Sequence, residues 1–127
     1  MNFEFIMDSW AWVEIFKGTP KGIRIAKLIH SKRVAVTQHT LAELADKFYR
    51  DKIQFDEALE HIKSNTTILP LTEEIMLRAP EVKEEMRKKH RDASLADAIN
   101  VTTARIHNAK AISGDADFKD IPGALFL

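Results

Sequence analysis

Residues 3–10 read Phe3-Glu4-Phe5-Ile6-Met7-Asp8-Ser9-Trp10, a short apolar run that stops at an acid and a serine. The run at 3–7 fits a buried strand, and Asp8 or Ser9 supplies an oxygen able to cap a helix over 9–17. Gly18 closes that helix. The same alternation continues along the chain. Thr19 followed by Pro20 is a cap with proline in the first turn, starting a helix to about residue 30 with Ile23, Ala26, Leu28 and Ile29 on its apolar side. A second strand is RVAVT, 33–37. Leu41, Leu44, Ala45 and Phe48 give a helical period over 38–50, and Phe55, Leu59 and Ile62 repeat it over 54–64, pointing to a helical hairpin.

TTILPL, 66–71, is a third strand that Pro70 ends or confines to an edge. Thr72 with Glu73 and Glu74 opens a helix over 72–89, which Pro80 is expected to kink or split. Ser94 and Asp97 stand at the spacing of a capping box and open a helix to about 107. Two short apolar runs close the chain, AKAIS at 109–113 and ALFL at 124–127. Strands separated by helices predict an α/β fold with three layers, α/β/α, around a central parallel sheet of four to five strands. With 127 residues, no internal repeat and no Gly/Ser linker, a single domain over 1–127 is expected.

Composition narrows the chemistry. The absence of cysteine excludes disulfides, thiolate metal sites and Cys nucleophiles, and fits a reducing compartment. Nineteen basic residues balance nineteen acidic ones, so any nucleic-acid binding must come from local patches. No signal peptide and no membrane span of ~20 apolar residues is legible, and a cytoplasmic location is expected. The histidines at 30, 39, 61, 90 and 107 lack ligand spacing and read as surface or capping residues. Neither a Gly-rich phosphate loop nor a GxSxG elbow occurs.

In open parallel sheets ligands bind beyond the carboxyl ends of the strands, at the switch in strand order. Asp8 follows the first strand and Asp115 the fourth. Each candidate acid has a plainer reading. Asp8 suits a helix cap, Glu43 in TLAEL a solvated helix face, Asp97 the third position of a capped helix, and Asp115 or Asp117 in SGDADF an Asx turn. The functional reading rests on the set: Asp8, Glu43, Asp97 and Asp115 can converge on one pocket. Carboxylates so placed repel and raise one another's pKa until a cation neutralises them, and oxygen-only ligands select Mg²⁺ or Mn²⁺. Such an ion activates water and stabilises charge on a phosphate.

These blocks resemble the PIN domain family, most closely the compact VapC-type toxin ribonucleases of prokaryotic toxin–antitoxin modules. The likeness spans nearly the whole chain. It is carried by a strand ending in Asp8-Ser9, by Thr40-Leu41-Ala42-Glu43-Leu44, by Ser94-Leu95-Ala96-Asp97-Ala98-Ile99 with Thr103-Ala104, and by Ser113-Gly114-Asp115-Ala116-Asp117-Phe118. The resemblance implies a metal-dependent endoribonuclease acting on RNA, usually a homodimer and often bound by an antitoxin protein. It assigns Asp8 and Asp97 as principal metal ligands, Glu43 as a direct or water-mediated one, and Asp115 as binding or completing a second position. One or two ions, Mg²⁺ or Mn²⁺, are implied. Asp117, Ser9 and Ser113 are implied supports that orient the carboxylates.

Two features depart from the family pattern. Trp10 and Trp12 are bulky where many relatives carry smaller residues near the cleft. The charged stretch from Glu81 to Asp92 contains Arg87, Lys88, Lys89 and Arg91, candidate substrate-binding residues whose plainer reading, the favoured one, is a solvated helix end. Rival functions are a housekeeping RNA-processing nuclease, separable by the absence of a neighbouring antitoxin gene, and a non-catalytic PIN-like scaffold, against which the full acid set argues. A phosphoacceptor domain fits less well, because Ser9 and Trp10 follow Asp8 where a second acid belongs.

Overall fold

The computed structural model describes residues 2–127. Five short strands form one parallel sheet in the order β3-β2-β1-β4-β5. They are β1 (Phe5–Met7), β2 (Val34–Thr37), β3 (Thr67–Leu69), β4 (Lys110–Ser113) and β5 (Ala124–Phe126). Six helices connect them: α1 (Ser9–Lys17), α2 (Pro20–Ile29), α3 (Gln38–Arg50), α4 (Asp56–Asn65), α5 (Glu73–Arg87) and α6 (Leu95–Ile106). A 3₁₀ turn over Ala116–Phe118 precedes β5. This is the expected three-layer α/β/α arrangement, with five strands.

The pleat divides the core. Ile6 pairs with Ala35 and Ala111 and points to one face; Met7 pairs with Ile112 and points to the other. The first face packs small residues of α5 and α6, including Ala79, Ala98, Val101 and Ala104, against the sheet. Small side chains let these helices approach closely. The opposite face is covered by α1 to α4 through Trp12, Ile25, Leu44 and Ile62, all buried.

Most boundaries follow local chemistry. Gly18 ends α1 at φ 67°, a left-handed conformation glycine adopts without a Cβ clash, and its N–H donates to the carbonyls of Glu14 and Ile15. Thr19, Thr37, Thr72 and Ser94 each accept a backbone N–H at a helix start. Pro70 lies just past β3, which is an edge strand.

Three expectations are corrected. The first strand occupies 5–7 rather than 3–7. The buried side of α2 is Gly22 and Ile25, whereas Ile23 is 51% exposed and Ala26 also faces solvent. A Cβ at position 22 would stand 2.0 Å from the Glu14 carbonyl oxygen, so the close approach of α2 to α1 centres on that glycine and fixes the helix rotation. Pro80 does not split its helix: α5 runs unbroken from Glu73 to Arg87. Pro80 lies on the exposed side, where water can satisfy the carbonyl its missing N–H leaves free.

Candidate metal centre

The strand order reverses at β1: the chain leaves it toward β2 on one side and returns to β4 on the other. The carboxyl ends of β1 and β4 therefore flank a crevice. Asp8 stands at the first, and Ser113, Gly114 and Asp115 at the second. Helix α6 brings Asp97 to the same place, and α3 brings Glu43.

Every acid whose plainer reading was a cap or turn also fulfils that reading. Asp8 caps α1, its Oδ1 accepting the Ala11 N–H at 2.9 Å. Asp97 completes a capping box: the Ser94 N–H donates to its Oδ2 at 3.0 Å while its own N–H donates to Ser94 Oγ. Asp115 Oδ1 accepts the Asp117 N–H at 2.9 Å, and the Asp115 N–H donates to Ser113 Oγ at 3.0 Å. Each backbone bond fixes one carboxylate oxygen and with it the rotamer. In Asp97 and Asp115 the other oxygen has no protein hydrogen-bond donor among the described residues. Capping thus preorganises the acids for a second partner.

Carboxylate oxygens of Asp97, Asp115 and Asp117 lie within 4.8 Å of one another. Asp8 and Glu43 adjoin this group, each feeling the charge of Asp97. Asp8 is 7% exposed, and burial pushes its carboxyl from 3.8 up to about 7. Asp97 and Glu43 add to the rise, against hydrogen bonds from Ser113 and the Ala11 N–H. Desolvation, then the charge of Asp97, raises Glu43, while Ser9 opposes the shift. Burial raises Asp97 as well, with Asp115 contributing and the Ser94 bonds opposing. Asp117 is raised by desolvation and then by Asp115 and Asp97. Among the described residues no Lys, Arg or His pairs with any of these five acids. The donor set is all oxygen and converging, with no ion-paired side chain among the described residues, which fits a hard divalent cation. Coordination by neutral nitrogen or sulfur has no basis here.

Three findings go beyond the sequence reading. Asp117, expected only as a support, lies inside the tightest acidic group. Beneath Glu43 and Asp97 runs a buried polar network that the sequence reading missed. The Thr40 N–H donates to Thr37 Oγ1 at 3.4 Å, the Thr37 hydroxyl donates to Asn100 Oδ1 at 3.2 Å, and Asn100 Nδ2 donates to Thr40 Oγ1 at 3.4 Å. His39 joins through Nδ1, 2.7 Å from Thr37 Oγ1, and burial lowers its imidazole pKa. Thr40 lies three residues before Glu43, and Asn100 three after Asp97. The network therefore ties α3 to α6 within one helical turn of each acid. An Asn one turn after Asp97, between Ile99 and Val101, was the signal available in the sequence.

The third finding concerns the basic run. Arg87 Nε donates to the Ala93 carbonyl at 2.9 Å and Lys89 Nζ to the Asp120 carbonyl at 2.7 Å, tying the α5–α6 connection in place. Arg91 is 95% exposed with Asp92 at 3.9 Å, and Lys88 is exposed at the helix end. The structure thus gives Arg87 and Lys89 backbone partners and leaves Lys88 and Arg91 facing solvent.

A parallel sheet with an all-carboxylate cluster at its switch point defines the class: an α/β domain with an acidic centre at the carboxyl edge of its sheet. A model of the PIN domain matches residues 5–124, and the chain belongs to that family. Solved structures share the fold. A toxin–antitoxin complex from Klebsiella pneumoniae aligns with a TM-score of 0.76 at 19% identity, covering 96% of each chain. VapBC2 from Rickettsia felis, bound to a promoter DNA fragment, aligns at 0.76 and 20% identity over 97% of this chain and 96% of that one. VapC20 from Mycobacterium tuberculosis, described as a Sarcin-Ricin loop cleaving toxin, aligns at 0.66 and 19% identity over 88% and 92%. No curated protein sequence matches the chain. No helix among the described residues is long and apolar enough to cross a membrane.

Proposed function

We propose that this PIN domain is a Mg²⁺- or Mn²⁺-dependent endoribonuclease and the toxin of a VapBC-type toxin–antitoxin pair. The observation that carries the proposal is the convergence of Asp8, Glu43, Asp97, Asp115 and Asp117 at the β1/β4 switch point without a neutralising side chain. Asp97, Asp115 and Asp117 would hold a divalent cation, with Asp8 and Glu43 completing the acidic wall. A bound divalent ion supplies an activated water and a Lewis acid for the phosphate. The residues themselves provide orientation: Ser113 holds Asp8, Ser9 holds Glu43, and the Ser94 capping box holds Asp97. Lys88 and Arg91, the solvent-facing members of the basic run, would meet RNA phosphates outside the cluster. RNA as substrate is supported by the description of VapC20 as cleaving the sarcin–ricin loop, and an antitoxin partner by the toxin–antitoxin complexes among the solved relatives. A homodimer and a cytoplasmic location follow the family pattern.

The test is cleavage of single-stranded RNA by the purified protein with Mg²⁺ or Mn²⁺ and with EDTA. Cleavage should require the metal and be lost in Asp97→Asn and Asp8→Asn proteins that remain folded. Metal-stimulated cleavage surviving both substitutions overturns the site assignment.

A further inference from the structure

A groove of about 580 Å³ runs between α1 and α3 away from the acidic centre. That volume lies within the ~300–1,000 Å³ typical of small-ligand sites. Its upper end is Ser9 and Glu43, members of the acidic cluster or in contact with it. Its middle is apolar, built from Trp10, Val13 and Leu44. Its lower part carries Lys17, Lys47 and Arg50 together with Glu14 and Asp46. The two helices both start at the carboxyl edge of the sheet and run the same way, so Ser9 to Lys17 spans ~12 Å along the groove.

Charges along the rim are unequally engaged. Arg50 pairs with Asp46 at 3.1 Å and Lys47 with Asp51 at 3.2 Å, both exposed pairs that exchange partners at little cost. The Glu14 carboxylate accepts the Thr19 hydroxyl at 2.9 Å. Lys17 has no carboxylate within salt-bridge range among the described residues. The distal end therefore presents an available cation, opposite in sign to the acids at the top.

Trp10 is held rigidly. A Cβ at position 114 would fall 2.1 Å from its Cζ2 and 2.3 Å from its Cη2, so the ring rests on the Gly114 backbone. Gly114 lies between Ser113 and Asp115. The Lys21 ammonium sits 5.7 Å from the ring centre. Trp10 lines the groove, whereas Gly114 and Lys21 do not. Trp10 is half-buried, packed on the loop carrying Asp115, and lines the groove together with Glu43.

We propose that the α1–α3 groove is a nucleotide subsite for single-stranded RNA, with a base stacked on Trp10 and the next backbone phosphate at Lys17. The subsite rests on the nuclease reading and extends it. A strand whose scissile phosphate lies at the carboxylates runs its adjoining nucleotide over the apolar middle and its following phosphate to the cationic end. Stacking on a fixed indole is tolerant of base identity, and the order acid, apolar, cation matches that of phosphate, base and phosphate along one strand.

The test uses the full chain with Trp12→Phe, which leaves Trp10 as the only tryptophan, titrated with a short single-stranded 2′-O-methyl oligonucleotide in Mg²⁺ and with integrity checked after each titration. Expected are quenching of Trp10 fluorescence and, read for every variant from the anisotropy of a fluorophore-labelled copy of the oligonucleotide, a Kd raised ~10-fold or more by Trp10→Ala with a smaller rise for Trp10→Phe. Lys17→Glu should raise Kd and lower the slope of log Kd against log salt by about one. In the cleavage assay Trp10→Phe should raise KM more than it lowers kcat. Should Trp10→Ala fail to fold, Trp10→Phe and Lys17→Glu carry the test. Unchanged Kd in both, with no quenching, overturns the subsite even if the unsubstituted protein cleaves RNA, and would leave the groove to a protein partner. Quenching and weakened binding without cleavage by the unsubstituted protein would uphold the subsite and sink the nuclease reading.

Discussion

Replacing Asp8 by Asn should stabilise the metal-free protein, and should do so only when the pH is high enough to ionise the native side chain. Asp8 is buried against the start of α1, and its carboxyl rises from 3.8 to about 7, chiefly by desolvation. The folded state therefore retains a proton that the unfolded chain gives up. For an acid shifted this way, the stability is fully present below pH ~4, declines as pH rises, and is lost by the time pH passes about 7. A rise of about three pH units at ~1.4 kcal/mol each makes the penalty at pH 8 roughly 4 kcal/mol. Asparagine removes the charge and keeps an oxygen for the Ala11 N–H, which Asp8 accepts at 2.9 Å, and it is itself a good cap. Urea unfolding in EDTA should give nearly equal stability for the two proteins near pH 4. The gap should widen to roughly 4 kcal/mol in favour of Asp8→Asn by pH 8. Saturating Mg²⁺ or Mn²⁺ should narrow the gap, because a cation beside the cluster offsets the Asp8 charge and stabilises most the protein that binds it more tightly. A difference that stays flat from pH 4.5 to 8, or an Asp8→Asn protein less stable throughout, would refute the claim that Asp8 is an uncompensated buried acid.

The same proton links metal affinity to pH: Kd for Mg²⁺ or Mn²⁺ should fall as pH rises from 5.5 to 8, levelling above about 7, with proton release on binding seen by calorimetry in buffers of different ionisation enthalpy. Gly114→Ala should lower stability by ~1–3 kcal/mol, because its Cβ meets the body of the Trp10 ring at 2.1 Å rather than a movable side-chain end; thermal unfolding measures the loss, and an unchanged Tm contradicts the packing described. Asn100→Ala should cost ~1–3 kcal/mol by removing the buried Asn100 amide that bonds the Thr37 and Thr40 hydroxyls and ties α6 to α3, with the same cost in EDTA at pH 5 and pH 8, unlike Asp8→Asn.

Much of this protein is legible one segment at a time. Thr19-Pro20, Thr72-Glu73-Glu74, Ser94 to Asp97 and Gly18 carry their boundaries in their own chemistry, because caps and left-handed turns are satisfied within four or five residues. The alternation of apolar runs with these caps is enough for a parallel α/β/α sheet. Where local chemistry is ambivalent, only packing chose. Ile23 and Ile25 are equally apolar, and Ile25 is buried because α2 meets α1 across Gly22. Pro80 is tolerated because its side of α5 faces water. The acids show the division most clearly. From sequence alone Asp8, Asp97 and Asp115 are equally caps, turn residues or ligands, and each does cap or turn. Their meeting depends on the strand order, which sets β4 beside β1 although about a hundred residues separate Asp8 from Asp115, and on the Thr37–Thr40–Asn100 network that fixes α3 against α6. Electrostatic cost, and with it cation affinity, is a property of distances between side chains, and those distances exist only once the sheet has formed.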